Sequence, residues 1–319
     1  MTKISKTYAM FFRFLILLNL LGALQACFQA DSPIDDNQET ETSTFPVIQS
    51  KKISGDTSAF HTRPHLIYNS AGDGLAVWIV EGKHRNNRVL ASVYDALTQQ
   101  WQDEVILDTE GYTRDVYLAS SGDTFLVVWE ENFYISAKMF NTQSGEWSES
   151  KYLNQNISTE NNTGEIPAFP LRQIAIAGNG SGFLVSWVEG YSTMNQDGER
   201  ISTNRIKARQ WLPANQGGTW NGETLVAVTE NSNLQIALSD SSNNYLLSWL
   251  DTSAADSNIM TRKLISESDE WLEPELVYST EQSIKKLLQA ANETQNVIAW
   301  VQVAETGAEI YALTARNTN

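Results

Sequence analysis

Five stretches of this chain share one pattern, a turn rich in Gly, Ser, Asn and Asp followed by a short apolar run that ends in tryptophan. The copies are residues 72–78 (GDGLAVW), 122–129 (GDTFLVVW), 180–187 (GSGFLVSW), 242–249 (SNNYLLSW) and 294–300 (TQNVIAW). Such a turn and run are typical of a hairpin that leads into a buried strand. The final tryptophans are 51, 58, 62 and 51 residues apart, which indicates repetition of one supersecondary unit.

Each unit contains apolar segments of strand length. One precedes the motif, one ends at its Trp, one follows a variable loop, and in the first four units a fourth begins at another Trp. We therefore predict an all-β, five-bladed β-propeller of four-stranded antiparallel blades over residues 45–319. The fifth unit stops after its third strand, so we expect residues 45–53 (FPVIQSKKI) to supply its outer strand and close the ring. All ten Trp lie at repeat positions, which predicts that they pack between blades.

Residues 1–27 have the features of an export signal. Lys3, Lys6 and Arg13 accompany a short apolar run over residues 14–24, which is brief for a transmembrane span. Residues 24–27 (LQAC) resemble the bacterial lipobox, in which a peptidase cuts before a lipid-modified cysteine. The resemblance implies a lipoprotein with acyl chains such as palmitate on Cys27, and Phe28 after it implies sorting to the outer membrane. A secretory signal with a chance cysteine, or a plain membrane anchor, is the other interpretation.

Composition limits the partners of the mature protein. Residues 28–44 hold five acids and little apolar surface, so we expect a disordered acidic tether. The formal net charge of −16 disfavours nucleic acid and anionic membrane surfaces, which leaves the lipid anchor as the expected membrane contact. Cys27 is the only cysteine, so no intramolecular disulfide can form. We expect a monomer without cofactor or metal, since His61 and His65 flank Pro64 in a strand setting.

The turn between the third and fourth strands of the third unit resembles the Asp-box (BNR) turn of sialidase-like propellers. Residues 215–220 (NQGGTW) keep the Gly, Thr and Trp of the pattern S-x-D-x-G-x-T-W, with Asn215 in place of Asp and Pro213 in place of the leading Ser. The resemblance implies a sialidase-like blade, in which this box is a structural turn. Sialidase-like activity would further need three substrate-binding Arg and a Tyr nucleophile with an acid partner, which the sequence does not place.

Charged residues recur at two positions counted from the motif Trp. Fifteen residues before it stand Arg63, Arg114, Arg172, Leu234 and Lys285, and two residues after it stand Val80, Glu131, Glu189, Asp251 and Gln302. Four cations at one position of the first strands could form a ring at the channel mouth and bind a carboxylate or phosphate. The two positions are also symmetric about the hairpin turn. Arg114 with Glu131 and Arg172 with Glu189 could therefore be cross-strand ion pairs, with Asp251 left without a basic partner.

Three long polar segments are expected as loops on the same face, over residues 81–88, 154–169 and 189–205. They contain His84, Phe169 and Tyr191, a mixture that suits a binding surface on a rigid scaffold but also occurs in tolerated insertions. We therefore predict a non-enzymatic platform that binds a protein or glycan partner in the cell envelope. The alternative is a sialidase-like or other glycan-active enzyme in which Arg63, Arg114 and Arg172 bind an acidic sugar.

Overall fold

The structure is a computed structural model. It describes residues 51–55, 59–82, 86–108, 111–131, 134–154, 166–167, 173–194, 197–213, 218–229, 234–241, 244–252, 256–305 and 307–316. The predicted leader, the tether and Cys27 lie outside the described residues, as do His84, Phe169 and Arg172. Residues 52–319 form one compact unit, to which the following description refers.

Five antiparallel sheets follow one another along the chain. The first contains β1 (Phe60–Tyr68), β2 (Gly74–Glu81), β3 (Arg88–Asp95), β4 (Gln100–Trp101) and β5 (Val105–Ile106). The second contains β6 (Thr113–Ser121), β7 (Thr124–Glu131), β8 (Tyr134–Asn141), β9 (Glu146–Trp147) and β10 (Lys151–Tyr152). The third contains β11 (Ile166–Pro167), β12 (Ile174–Gly178), β13 (Phe183–Met194), β14 (Arg200–Leu212), β15 (Thr219–Trp220) and β16 (Thr224–Thr229).

The fourth sheet contains β17 (Ile236–Ser241), β18 (Asn244–Thr252), β19 (Ser257–Ile265), β20 (Glu270–Trp271) and β21 (Glu275–Thr280). The fifth contains β22 (Ser283–Ala291), β23 (Gln295–Ala304) and β24 (Gly307–Arg316). In each of the first four sheets, two short outer strands pair with the third long strand and take the place of the predicted fourth strand. No helix long and apolar enough to cross a membrane occurs in the described part of the chain.

The motif that ends in Trp folds as a tight turn followed by a buried strand. Glycines with positive φ, which few other residues adopt easily, occupy three of these turns: Gly72, Gly122 and Gly180. In the first turn, Asn69 Oδ1 accepts hydrogen bonds from the backbone nitrogens of Ala71, at 3.0 Å, and Asp73, at 2.9 Å. Every motif Trp is at most 5% exposed, so the predicted burial of these side chains is confirmed.

Apolar side chains of neighbouring sheets pack together and form the core in separate layers. Between the first two sheets, Val77 and Ile79 lie in one buried cluster with Val127 and Trp129. One apolar residue six positions after the outer-strand Trp contributes to each of four successive interfaces: Leu107, Leu153, Val226 and Val277. The outer strand of one sheet thus covers the face of the next, and the sheets are held together mainly by apolar burial.

Two arginines add polar links between sheets. Arg209, on β14, donates to the carbonyl oxygens of Asn221 in its own sheet at 2.8 Å and Leu153 in the preceding sheet at 3.0 Å. Arg262 occupies the same position of β19 and donates to the carbonyl oxygen of Val226 in the third sheet at 2.6 Å. A charged donor on a backbone carbonyl forms a strong hydrogen bond, so each arginine fixes an outer strand against its neighbour.

The all-β prediction with antiparallel sheets is confirmed, and the fifth sheet differs from the others. It has three strands, and no described strand pairs with the outer edge of β24. Of the segment predicted to close the ring, residues 51–53 are described and belong to no strand. Ile53 packs instead against Ala76, Trp78 and Leu90 on the free face of the first sheet.

Candidate functional site

The recurring cations lie at β-bulges, which changes their predicted pairing. The register of the first hairpin shifts at three of these positions: between Thr62 and His65, between Thr113 and Val116, and between Ile284 and Lys286. Because the bulge adds a residue to the first strand, Glu131 pairs with Thr113 and not with Arg114. The predicted ion pair between Arg114 and Glu131 is therefore wrong.

The described cations have separate surroundings. Arg63 donates to the carbonyl oxygen of Arg114 and to Asp115 Oδ1 at 2.6 Å, with both side chains of this ion pair about half exposed. The Arg114 guanidinium lies 5.5 Å from the centre of the Tyr112 ring, and a hydrogen bond with Tyr112 is the main cause that raises the pKa of Arg114. The exposed Lys285 lies on β22 of the fifth sheet, separate from the ion pair of Arg63 with Asp115.

The residue two positions after the motif Trp has a structural role in three sheets. Glu131 accepts the indole N–H of Trp129 at 3.2 Å, and Glu189 accepts that of Trp187 at 2.8 Å. Gln302 does the same in the fifth sheet at 3.3 Å. A buried indole needs an acceptor, so this contact explains the recurrence of an acid or amide at the position.

The first and fourth sheets depart from this pattern. Asp251 accepts a hydrogen bond instead from Thr229 Oγ1 at 2.7 Å. In the first sheet the position holds Val80, and the buried Trp78 Nε1 has no hydrogen-bond partner among the described residues. No group of three His, Cys, Asp or Glu side chains suited to a metal ion occurs among the described residues either.

The hairpin of the third sheet is longer than the sequence predicted. Residues 189–205 were expected to be a loop, but β13 continues to Met194 and β14 begins at Arg200, with pairing up to these two residues. The short strand β11 pairs with the other edge of β13, opposite Tyr191 and Ser192. We call this extension, residues 189–205, the third-sheet arm.

A polar cluster lies at the base of the arm. Tyr191 donates its hydroxyl to Glu189 Oε2 at 2.5 Å, and Lys207 Nζ lies 2.7 Å from the same oxygen. Lys207 Nζ also lies 2.7 Å from Glu223 Oε1 and 3.3 Å from the Tyr191 hydroxyl. Since the indole of Trp187 occupies the other oxygen of Glu189, this carboxylate has three donors. Sequence reasoning paired Glu189 with Arg172, which lies outside the described residues, and missed Lys207.

Burial and charge keep both titratable donors of the cluster protonated. Burial is the main cause that raises the pKa of Tyr191, and the neighbouring Glu189 raises it further. Burial alone would lower the pKa of Lys207, but its hydrogen bonds with Glu189 and Glu223 outweigh this effect and raise it. The Arg205 guanidinium lies 4.1 Å above the Tyr191 ring. Two carboxylates thus face two cations around a neutral phenol, an arrangement that stabilises the arm.

Comparisons with known proteins concern the fold alone. No model of a known protein family matches this chain, and neither does any curated protein sequence. Among solved structures, the chain is similar to polysaccharide lyase Uly1, with 12% identity, a TM-score of 0.45, and coverage of 87% of this chain and 64% of that one. The chain therefore spans less than two thirds of the length of the lyase.

Two further similar structures are also glycan-active enzymes. The catalytic domain of Coprinopsis cinerea GH62 alpha-L-arabinofuranosidase has 11% identity, a TM-score of 0.36, and coverage of 85% of this chain and 93% of that one. The Trypanosoma rangeli sialidase in complex with sialic acid has 6% identity, a TM-score of 0.35, and coverage of 80% of this chain and 54% of that one. A structure described as the Dos1 propeller is similar as well, so the neighbours include propellers and sialidases.

We predict that Tyr191→Phe lowers the free energy of unfolding by about 1 to 3 kcal/mol, because it removes a hydrogen bond to a charged, buried carboxylate. The raised pKa of Tyr191 means that the folded state favours the phenol. Its contribution to stability is therefore full below the ordinary tyrosine pKa of about 10 and is lost as the pH rises above it. Urea unfolding at pH 7 measures the loss, and alkaline difference absorbance of the two proteins measures the titration.

Tyr152→Phe is the matched control, because Tyr152 is 55% exposed and contacts Tyr134 through its ring. It should unfold at the same urea concentration as the wild type. Equal midpoints for the wild type and Tyr191→Phe would show that the cluster does not stabilise the arm.

Proposed function

We propose that this protein is a lipid-anchored β-propeller of the bacterial cell envelope that binds a partner through the third-sheet arm. One observation carries this proposal, the length of the arm. β13 continues seven residues beyond its motif Trp, whereas the corresponding strands of the other sheets continue two to four residues beyond theirs. The arm therefore extends past the neighbouring hairpins on the face where the second strands end.

The arm is prepared for binding because its base is held in place. An isolated two-stranded hairpin is at best marginally stable in water, yet here Glu189, Tyr191 and Lys207 tie both strands together at the root. A binding element that is already ordered loses less conformational entropy when a partner arrives. Asp197 and Glu199 at the tip are exposed. A partner could therefore reach the tip without disturbing the root.

An unpaired strand edge favours a protein over a glycan as the partner. Among the described residues, the outer strand β16 pairs with β14 only from Asn204 onward, and residues 200–203 pair with β13 alone. An extended peptide can add to such an edge through main-chain hydrogen bonds. The net charge of −16 would attract a partner with a basic segment.

A glycan-active enzyme is the second candidate function, and one contact favours it. The 2.5 Å hydrogen bond between Tyr191 and Glu189 pairs a phenol with a carboxylate, the combination that the sialidase-like resemblance calls for. The raised pKa of Tyr191 and the three donors on Glu189 argue for a structural role of this pair. Release of sugar from a sialoside by the wild type, and its loss in Tyr191→Phe, would establish the enzyme.

Removing the outer part of the arm tests the binding role. Tyr191 pairs with Thr203, so replacing residues 192–202 by Asn-Gly joins two paired positions with a two-residue turn and keeps the polar cluster. We expect the wild type to enrich one envelope protein from solubilised membranes, and the shortened variant to recover it roughly tenfold less, as for a loss of about 1.4 kcal/mol of binding. Quantitative mass spectrometry, with a glycan array in parallel, measures both kinds of partner.

The control for this experiment changes the opposite end of the sheets. Leu97→Ser removes a side chain that is 96% exposed in the turn between β3 and β4, far along the strands from the arm. It should bind as the wild type does. Recovery of the same protein or glycan by the shortened variant at the wild-type level would contradict binding through the arm.

We also propose that the five sheets are the blades of a closed propeller, completed by an outer strand from residues 45–50, which precede Ile53. The position of Ile53 supports this closure. Leu107, Leu153 and Val226 follow an outer strand and pack on the next sheet, and Ile53 packs on the first sheet in the same way. Ile53 would thus follow the missing outer strand of the fifth sheet, beside the unpaired edge of β24.

Deletion of residues 45–50 tests the closure. We expect a lower thermal midpoint and faster amide exchange in β24, because its outer backbone groups would lose their partners. Deletion of residues 34–39 from the acidic segment is the matched control and should change neither. Unaltered exchange in β24 after the first deletion would argue against a closing strand.

Lipid attachment at Cys27 is the proposed means of anchoring, supported by residues 24–27 (LQAC). Growth with labelled palmitate should label the wild type and leave Cys27→Ser unlabelled, and the variant should leave the membrane fraction. Fractionation of the wild type by density would show whether it reaches the outer membrane. Equal labelling of both proteins would contradict attachment at Cys27.

A further inference from the structure

A polar cleft of about 300 Å³ lies between the fourth and fifth sheets. Four charged side chains line it: Lys263, Glu273 and Glu275 of the fourth sheet and Arg316 of the fifth. Thr261 and Asn296 line it as well. The cleft lies near the first residues of β18 and β23, so it is at the end of the sheets opposite the third-sheet arm. A volume of this size is at the lower end of the range for ligand pockets and suits a small ligand.

The cleft lies where two contacts made by the third or fourth sheet have no described counterpart in the fifth sheet. Arg209 and Arg262 each bind a carbonyl oxygen of the preceding outer strand, but Leu313 occupies their position on β24 and cannot form such a link. The turn that follows β19 also reaches the third sheet, where Asn221 donates to Asp269 at 2.7 Å. Among the described residues, the fifth sheet has no counterpart of this turn to cover the space beside the outer strand of the fourth sheet.

The charges in the cleft do not neutralise one another. In the described part of the chain, none of the side chains of Lys263, Glu273, Glu275 and Arg316 forms a hydrogen bond or an ion pair. Polar groups beside the cleft are also incompletely satisfied. Gln289 donates to the carbonyl oxygen of Leu246, a lining residue, at 3.2 Å, while its own buried Oε1 has no partner among the described residues.

The charge pattern selects the chemical class of the ligand. Lys263 and Arg316 would attract an anion, but Glu273 and Glu275 would repel it. For a cation, attraction and repulsion are reversed. A neutral ligand would leave all four charges unpaired. A ligand with both a carboxylate and an ammonium group would pair with both kinds of side chain. We propose that the cleft binds a short peptide with free termini, its carboxylate toward Lys263 and Arg316 and its ammonium toward the two glutamates.

Titration calorimetry of the full chain with four forms of one peptide tests the charge requirement. Trialanine carries both charges, its N-acetyl form only the carboxylate, its amide only the ammonium, and the N-acetyl amide neither. We expect trialanine to bind, each singly blocked form to bind at least roughly tenfold more weakly, and the doubly blocked form to give no heat. Equal binding of all four forms, or no binding of trialanine, would overturn the proposal.

Variants of the lining residues test its location. Lys263→Met and Arg316→Gln should weaken trialanine binding and leave the affinity for trialanine amide unchanged, because the amide has no carboxylate to lose. Arg316 is exposed near the end of β24, so its replacement tests the site even if Lys263→Met unfolds. Glu267→Gln, an exposed position in the turn after β19, is the control and should bind trialanine as the wild type does. An equal loss of affinity in Glu267→Gln would mean that overall charge, and not the cleft, determines binding.

Discussion

The burial of the motif tryptophan of the second to fifth sheets against the preceding sheet is the constraint on which the rest of this structure depends. An indole is large and apolar but carries one N–H group, which is costly to bury without a hydrogen-bond acceptor. Trp129 and Trp187 meet this need through Glu131 and Glu189, two residues further along the same strand. The carboxylate is therefore buried, although a carboxylate without hydrogen-bond donors would be more stable in water. The packing requirement of the scaffold thus creates buried charges at one level of the sheets.

Those buried charges have consequences that differ between sheets. In the second sheet, Ser136 completes the bonding of Glu131 at 3.1 Å, and the hairpin ends there. In the third sheet, Glu189 gains Tyr191 and Lys207, and the hairpin continues as the arm. A carboxylate with charged and neutral donors is less costly to bury than one with neutral donors alone. The same scaffold requirement therefore supports an extended element in one sheet and a plain hairpin in another.

The sequence predicted the centres of the hairpins correctly but not the contacts of Arg114 and Lys207. The spacing of the motif predicted five units and the centre of each hairpin, and Val116 does pair with Trp129, and Ile174 with Trp187, as that centre requires. The predicted pairing of Arg114 with Glu131 was wrong because the β-bulge beside Arg114 cannot be recognised from the spacing of the motifs. Lys207 was missed because residues 189–205 read as a polar loop, and a strand in that place is decided by pairing over long distances. Tyr191 and Thr193 pair with Thr203 and Ile201, and these residue types are common in strands. An antiparallel hairpin with this register places Lys207 near Glu189.

The fifth sheet, which has three strands among the described residues, differs from the other sheets in how it contacts its neighbour. Its third strand has Leu313 where earlier sheets have Arg209 and Arg262, so it has no polar link to its predecessor at this point. Leu313 packs instead with the apolar cluster between the last two sheets, which holds the inner part of the interface together. The outer part of the interface then separates and leaves charged side chains of two sheets facing the same space. Packing between repeats constrains the residues of this interface less than those of the other interfaces. A binding site can therefore evolve here more easily than between the other sheets.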